Sequence, residues 1–277
     1  MKIDYTFNIG GMMPKTYTLI ILLLLLSACS DDSTKRTTQP LSNESVEVDN
    51  SISNISIPDN RFANTYQVLL FGNSHVLNLE ELLKIIIKTA NPRAEVSTFN
   101  AGGGFLDNKL KEQSRTDILH SKPWTHVILQ GQKYSQSGVN SYPTIDAKNW
   151  IIKAKKQKTT PVLFPEHPQK GETKEGRRVH NIHIGIAEQQ SSCVAPIGLA
   201  WDKVIMTVPQ LNLHINDGNH ASLQGRFLTT LVLYEVITGE PADLLPFIED
   251  INIQEDTQQL LKQMASEVIQ ANQPCKF

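Results

Sequence analysis

The sequence is poor in cysteine. Three occur, Cys29, Cys193 and Cys275, and no two have the short spacing that a zinc site needs. An excess of charge is also missing: 26 Lys and Arg stand against 28 Asp and Glu, a net charge of -2. No basic face therefore marks a nucleic-acid partner, and no acidic block marks a tail. The apolar run Tyr17 to Leu26, at about ten residues, is shorter than the roughly 20 that a spanning helix needs. What remains is ordinary globular composition, 40% hydrophobic and 19% charged, in a chain long enough for one sizeable core.

That short run has the layout of an address. Lys15 precedes it, Leu22 to Leu26 form its apolar centre, and it closes on Leu26-Ser27-Ala28-Cys29, as in a secretory signal peptide. Met12 or Met13 would make a tidier start than Met1. The closing four residues resemble the bacterial lipobox, which implies cleavage before Cys29 and a lipid on that cysteine. Ser30 follows where aspartate would retain a lipoprotein in the inner membrane, so the pattern implies the outer membrane, with the domain in the periplasm or at the cell surface. Residues 30 to 60 are rich in Ser, Asp, Asn and Thr and cannot bury enough apolar surface to offset ordering entropy. The expected division is a signal peptide over 1–28, a flexible tether over 29–62 and one globular domain over 63–277.

Within the domain, short apolar runs alternate with helical patterns. Tyr66 to Phe71 stops at Gly72, and Leu79, Leu82, Leu83, Ile86 and Ile87 follow at helical spacing. The alternation returns with Ala94 to Phe99 and a polar helix near Leu106 to Ile118, then with His126 to Gln130 and a helix around Asp146 to Lys156. Further strands are expected at Pro161 to Phe164 and Ser192 to Ala195, with a helix near Glu175 to Gln189 between them. Ala221 to Ile237 reads as a strong amphipathic helix, and Thr257 to Ile269 as a last one. This order predicts an α/β three-layer sandwich around a mainly parallel five-stranded sheet. Ligand sites in such sheets lie beyond the carboxyl ends of the strands, which selects Gly72 to His75, Asn100 to Gly104 and Gln130 to Ser137.

The first of those loops puts Ser74 where strand turns into helix, a place suited to a nucleophile and equally to a helix cap. Serine needs a base, usually a histidine oriented by a carboxylate. Asn216-Asp217-Gly218-Asn219-His220 offers both at a spacing that lets them face one cleft. Its residues are also common turn formers, so each segment alone leaves the bland reading open.

Together they resemble a known family. Val68-Leu69-Leu70-Phe71-Gly72-Asn73-Ser74-His75 is similar to the first block of the SGNH/GDSL hydrolases. Asp217-Gly218-Asn219-His220-Ala221-Ser222-Leu223-Gln224-Gly225 is similar to their last. The likeness spans most of residues 66 to 240 and implies a flavodoxin-like SGNH hydrolase fold. It implies a Ser-His-Asp triad of Ser74, His220 and Asp217, with no metal or organic cofactor. Asn100-Ala101-Gly102-Gly103-Gly104 resembles the second block, whose glycine lends an N–H to the oxyanion hole; Gly103 and Gly104 are both candidates. The third block usually reads Gly-x-Asn. Here Leu129-Gln130-Gly131-Gln132 is closer to the Gln-Gly-Glu variant of carbohydrate-acting relatives, making Gln130 the expected amide donor and Gln132 the fallback. Asn73 also departs from the aspartate of the GDSL pattern.

The resemblance implies hydrolysis of a small-molecule or glycan ester, an O-acetyl group on a glycan or cell-wall polymer among the candidates. The alternative of another class is a non-catalytic lipoprotein that binds a glycan or a protein in the same cleft. Of the other histidines, His180 and His183 sit three apart on a predicted helix and read as a solvated face rather than a metal site. Trp124, Trp150 and Trp201 read as core or rim. Export leaves Cys193 and Cys275 as a candidate disulfide, the alternative being that Cys193 is a small buried hydrophobe.

Overall fold

Val68 to Phe71 is apolar without interruption and buried on both sides, the pattern of a parallel strand covered by helices on both faces. In the computed structural model, which describes residues 54–277, this segment is β1 (Thr65–Phe71), the strand next to one edge of a five-stranded sheet. β2 (Glu95–Asn100) and β3 (His126–Gln130) flank it; β4 (Thr160–Phe164) and β5 (Cys193–Val194) complete the order β2-β1-β3-β4-β5. Every pairing is parallel. The signal peptide, Cys29 and the tether up to residue 53 lie outside the described residues.

Successive strand side chains point to opposite faces, which divides the core in two. Val68, Leu70, Ile128 and Val162 face α1 (Leu79–Ala90), α6 (Ile197–Thr207), α7 (Leu223–Thr238) and α8 (Glu255–Ala271). Leu69, Phe71, Val127, Leu129 and Leu163 face the other way. Their layer holds α2 (Leu106–Leu110), α3 (Gln113–His120), α4 (Ile145–Lys156) and α5 (Glu175–Gln189). The three-layer α/β sandwich is thus what the alternating pattern predicts. Trp124, Trp150 and Trp201 are all buried.

Three expectations need correction. The polar segment 106–118 is two helices, α2 and α3, rather than one. The helix expected at Ala221 is not amphipathic: α7 is buried almost all round, because α1, α6 and α8 all pack on it. Residues 54–62, expected in the tether, belong to the domain. Asn54 Oδ1 accepts from Lys155 Nζ at 3.1 Å and from the Ser191 N–H at 2.9 Å, Ile57 is buried, and Asn60 Nδ2 donates to the Thr125 carbonyl at 2.9 Å. Polar composition hides this, since these side chains satisfy the Lys155 amine and backbone groups at the amino ends of β3 and β5. At the other end, Cys193 and Cys275 form the candidate disulfide, with Cα atoms 4.3 Å apart. It ties β5 to the C-terminal segment, where the Val194 N–H also donates to the Pro274 carbonyl at 2.7 Å.

Candidate active site

The chain leaves β1 through Gly72, where a Cβ would lie 2.4 Å from Gln130 Oε1 and 2.8 Å from Val76 Cγ1, so only glycine fits without displacement. Asn73 caps a single 3-10 turn, Ser74–Val76, its Oδ1 accepting the His75 N–H at 3.0 Å. Ser74 thus lies in this turn rather than capping a helix, and α1 begins at Leu79, where the helical spacing begins in the sequence.

The second loop runs between the Leu213 and Ser222 backbones, which pair at 2.8 Å, and the Ile215 N–H donates to the His220 carbonyl at 2.9 Å. Gly218 turns it with φ +71°. Asp217 Oδ1 accepts the N–H groups of Asn219 and His220, both at 2.9 Å. Its Oδ2 lies 2.6 Å from His220 Nδ1, and His220 Nε2 lies 2.7 Å from Ser74 Oγ. The carboxylate accepts Nδ1–H, which leaves Nε2 as the acceptor for the serine hydroxyl. The hydrogen bond from the His220 side chain, then those from the two N–H groups, hold Asp217 well below the usual carboxylate range. Ser74, His220 and Asp217 therefore meet in one relay across 146 residues of chain, at the carboxyl edge of the sheet.

Beneath the relay lies a layer with no counterpart in the sequence analysis. The His75 ring stacks on that of His220 with centroids 5.4 Å apart, and its Nε2 is 3.5 Å from Glu166 Oε1. Burial lowers His75 to about 4 and raises Glu166 to about 7, the neighbouring Asn73 and Gln130 amides opposing the latter shift. His167 stacks on Trp201 at 3.8 Å and sets its Nε2 2.9 Å from the Asn219 carbonyl, so it donates to the backbone just before His220. Spacing could not reveal Glu166 and His167. Their position directly after β4 could have, since the carboxyl-end rule applies to that strand as to the others.

Among the oxyanion candidates, Gly103 lies against the serine loop: a Cβ there would sit 3.5 Å from the Gly72 carbonyl and 3.7 Å from Asn73 Cα. Gly104, at φ +113°, instead packs its carbonyl on Gly131, 2.8 Å from where a Cβ would be. The expectation for Gln130 is corrected. Its side chain is fully buried and its Oε1 accepts the Asn73 N–H at 2.7 Å, so the residue ties β3 to the Ser74 turn, and it is not among the residues lining the cleft. Gln132 is also committed, donating to the Lys133 and Pro143 carbonyls at 2.9 and 3.1 Å. His180 and His183 are not on a solvated face: both are buried on α5, and burial lowers each to about 4.

Ser74 and His220 open on a cleft of about 920 Å³ whose walls include Phe105, Tyr134, Tyr142 and Gln169. A second cavity, of about 460 Å³, lies at the amino edge of the sheet between Tyr66, Arg93 and Tyr234. Its lining includes no serine, cysteine or histidine, whereas the first cleft is lined by Ser74, His75 and His220.

Sheet order, layers and the position of the relay define an α/β protein with the SGNH hydrolase fold. Solved structures that share it include two with the following alignments. One is a DUF4886 family protein from Bacteroides uniformis, 13% identical, with 76% of this chain and 97% of that one aligned at a TM-score of 0.58. The other is a candidate SGNH hydrolase from Slackia heliotrinireducens, 19% identical, with 62% and 98% aligned at a TM-score of 0.51. No family model and no curated protein matches the sequence. At such identities the likeness establishes the fold, and the reaction has to be argued from the site.

Proposed function

We propose that the domain is a serine esterase, carried by a lipidated Cys29 on the bacterial outer membrane. The observation that carries the catalytic reading is the Ser74–His220–Asp217 relay, with both links at hydrogen-bond length. In the reaction, Ser74 Oγ attacks the ester carbonyl while its proton passes to His220 Nε2. Asp217 holds the imidazolium that results. The Ser74 and Gly103 N–H groups receive the oxyanion, each donor being worth about 3 kcal/mol at the transition state. Collapse expels the alcohol, which takes the proton from His220. Water, deprotonated by the same nitrogen, then releases the acid and restores the serine. The anchor rests on Leu26-Ser27-Ala28-Cys29 and on Ser30.

A glycan ester is the substrate class that the cleft suits best, since Ser135, Gln136, Ser137, Gln169 and Asn219 line it with neutral hydrogen-bonding groups. Hydrolysis of p-nitrophenyl acetate, together with fluorophosphonate labelling, tests the reading. Ser74→Ala should abolish labelling, and Ser74→Ala and His220→Ala should each lower turnover by on the order of 10⁴-fold or more. Wild-type turnover by Ser74→Ala would end it.

A further inference from the structure

The first turn of α5 and the loop before it carry cations on the rim of the cleft. Lys174, Arg177 and Arg178 line a shallow groove of about 630 Å³ together with Thr173 and Asn181, and Lys174 and Arg177 are exposed. The groove adjoins the cleft directly: Arg178 Nη2 donates to the backbone carbonyl of Gln136, a cleft residue. Lys170, also exposed, extends the row toward the base, its N–H donating to the Gly218 carbonyl at 2.8 Å.

Counter-charge is thin here. Among the described residues, Lys170, Lys174 and Arg177 have no carboxylate within ion-pair distance. Glu175 is buried and faces inward, accepting the Gln169 N–H at 2.7 Å and lying 3.8 Å from Arg178. Asp202 is the counter-charge nearest Arg177: it accepts the Arg177 backbone N–H, and burial pushes its partly buried carboxyl up to about 6. Glu172 is the exposed acid of the row. In a chain of net charge -2, this concentrates positive potential along one wall of the candidate site, where it would steer an anionic ligand.

We propose that this groove is a binding subsite for an anionic saccharide chain, whose carboxylate or phosphate groups lie along Lys170, Lys174 and Arg177 while its ester reaches Ser74. The cations supply the charge recognition, and Thr173, Asn181 and the polar cleft residues supply partners for hydroxyl groups. The inference rests on the glycan-ester reading of the same site.

Binding is measured with the full chain carrying Ser74→Ala, in neutral detergent, against polygalacturonate, phosphomannan and neutral dextran of matched length. At least one anionic polymer should bind, dextran should not, and affinity should fall as salt rises. Adding Lys174→Glu and Arg177→Glu should weaken that binding by at least about tenfold, with the thermal midpoint unchanged. Lys84→Glu with Lys88→Glu on α1, an equal change of net charge, should leave it intact. Absence of binding to both anionic polymers, equal binding of dextran, or equal losses from the two double variants would each overturn the proposal. So would displacement of the polymer by micelles containing phosphatidylglycerol but not by phosphatidylcholine micelles, which would reassign the row to a lipid surface. Because the binding chain lacks the nucleophile, these outcomes are independent of ester turnover: loss of the esterase reading shows only in p-nitrophenyl acetate hydrolysis by the chain with Ser74 intact.

Discussion

Replacing Glu166 by Gln should change the pH dependence of stability in a direction fixed by the structure. Glu166 is buried beside His75, Asn73 and Gln130, and burial raises it from 4.5 to about 7. Between those values the folded chain keeps a proton that the unfolded chain has lost. Stability therefore falls as pH rises from about 4.5 through about 7, and this contribution is constant above that. The gap corresponds to about 3 kcal/mol. His75, His180 and His183, lowered by burial to about 4, act in the opposite sense, adding stability as pH rises from about 4 to 6.5. His180 and His183 are common to both proteins and cancel in the difference, while His75, its Nε2 3.5 Å from Glu166 Oε1, is held uncharged by burial above pH 5. Any mismatch of the glutamine amide with its neighbours is independent of pH and appears as a constant offset. Urea unfolding of wild type and Glu166→Gln at pH 5 and pH 8 reads the effect: the variant should gain about 2–3 kcal/mol on wild type between the two. A difference that is the same at both pH values refutes the buried, protonatable Glu166.

Gln130→Ala removes the acceptor for the Asn73 N–H and a fully buried side chain; a loss of about 2–4 kcal/mol is expected in denaturant unfolding, and unchanged stability would contradict its role as a tie. The Cys193–Cys275 bond closes a separation of 82 residues, so Cys193→Ala with Cys275→Ala should cost about 2–4.5 kcal/mol, read as a lowered thermal midpoint that reductant no longer shifts. Asp217→Asn should keep the fold and lose on the order of 10⁴-fold in kcat, since the Asn219 and His220 N–H groups hold the amide oxygen and the NH2 then faces Nδ1, which puts the ring proton on Nε2, the wrong tautomer; steady-state kinetics checks it.

The sheet was legible in the sequence because its strands are continuous apolar runs and its glycines sit where those runs stop. Phe71-Gly72 and Gln130-Gly131 mark two carboxyl ends directly. The Ser74 and Asp217/His220 segments were legible for another reason: the spacing within each is local, and only their meeting is tertiary. The same logic explains the failures. α6 escaped notice because Ile197–Thr207 is apolar on most sides and buried, so it offers no clear period. α7 was assigned an outer face that the surrounding helices remove. Gln130 was given a catalytic role from its place in a motif, but which way its amide turns depends on the Asn73 N–H, 57 residues away, and no local pattern carries that.

The layer of histidines under the relay bears on how the proposed base works. In the transition state His220 becomes an imidazolium, and His75 lies 5.4 Å from it, ring on ring. A proton on His75 would oppose that charge by about 3 kcal/mol at an effective dielectric of about 20, a rate loss on the order of 100-fold. Burial is the largest cause of the shift that takes His75 to about 4, so at neutral pH it meets the imidazolium as an uncharged ring. His167, buried and held by that burial well below the usual imidazole range, meets the same condition while holding the Asn219 carbonyl. Aromatic packing thus fixes the base loop from behind without placing a competing charge there, which a lysine or arginine at position 75 or 167 could not do.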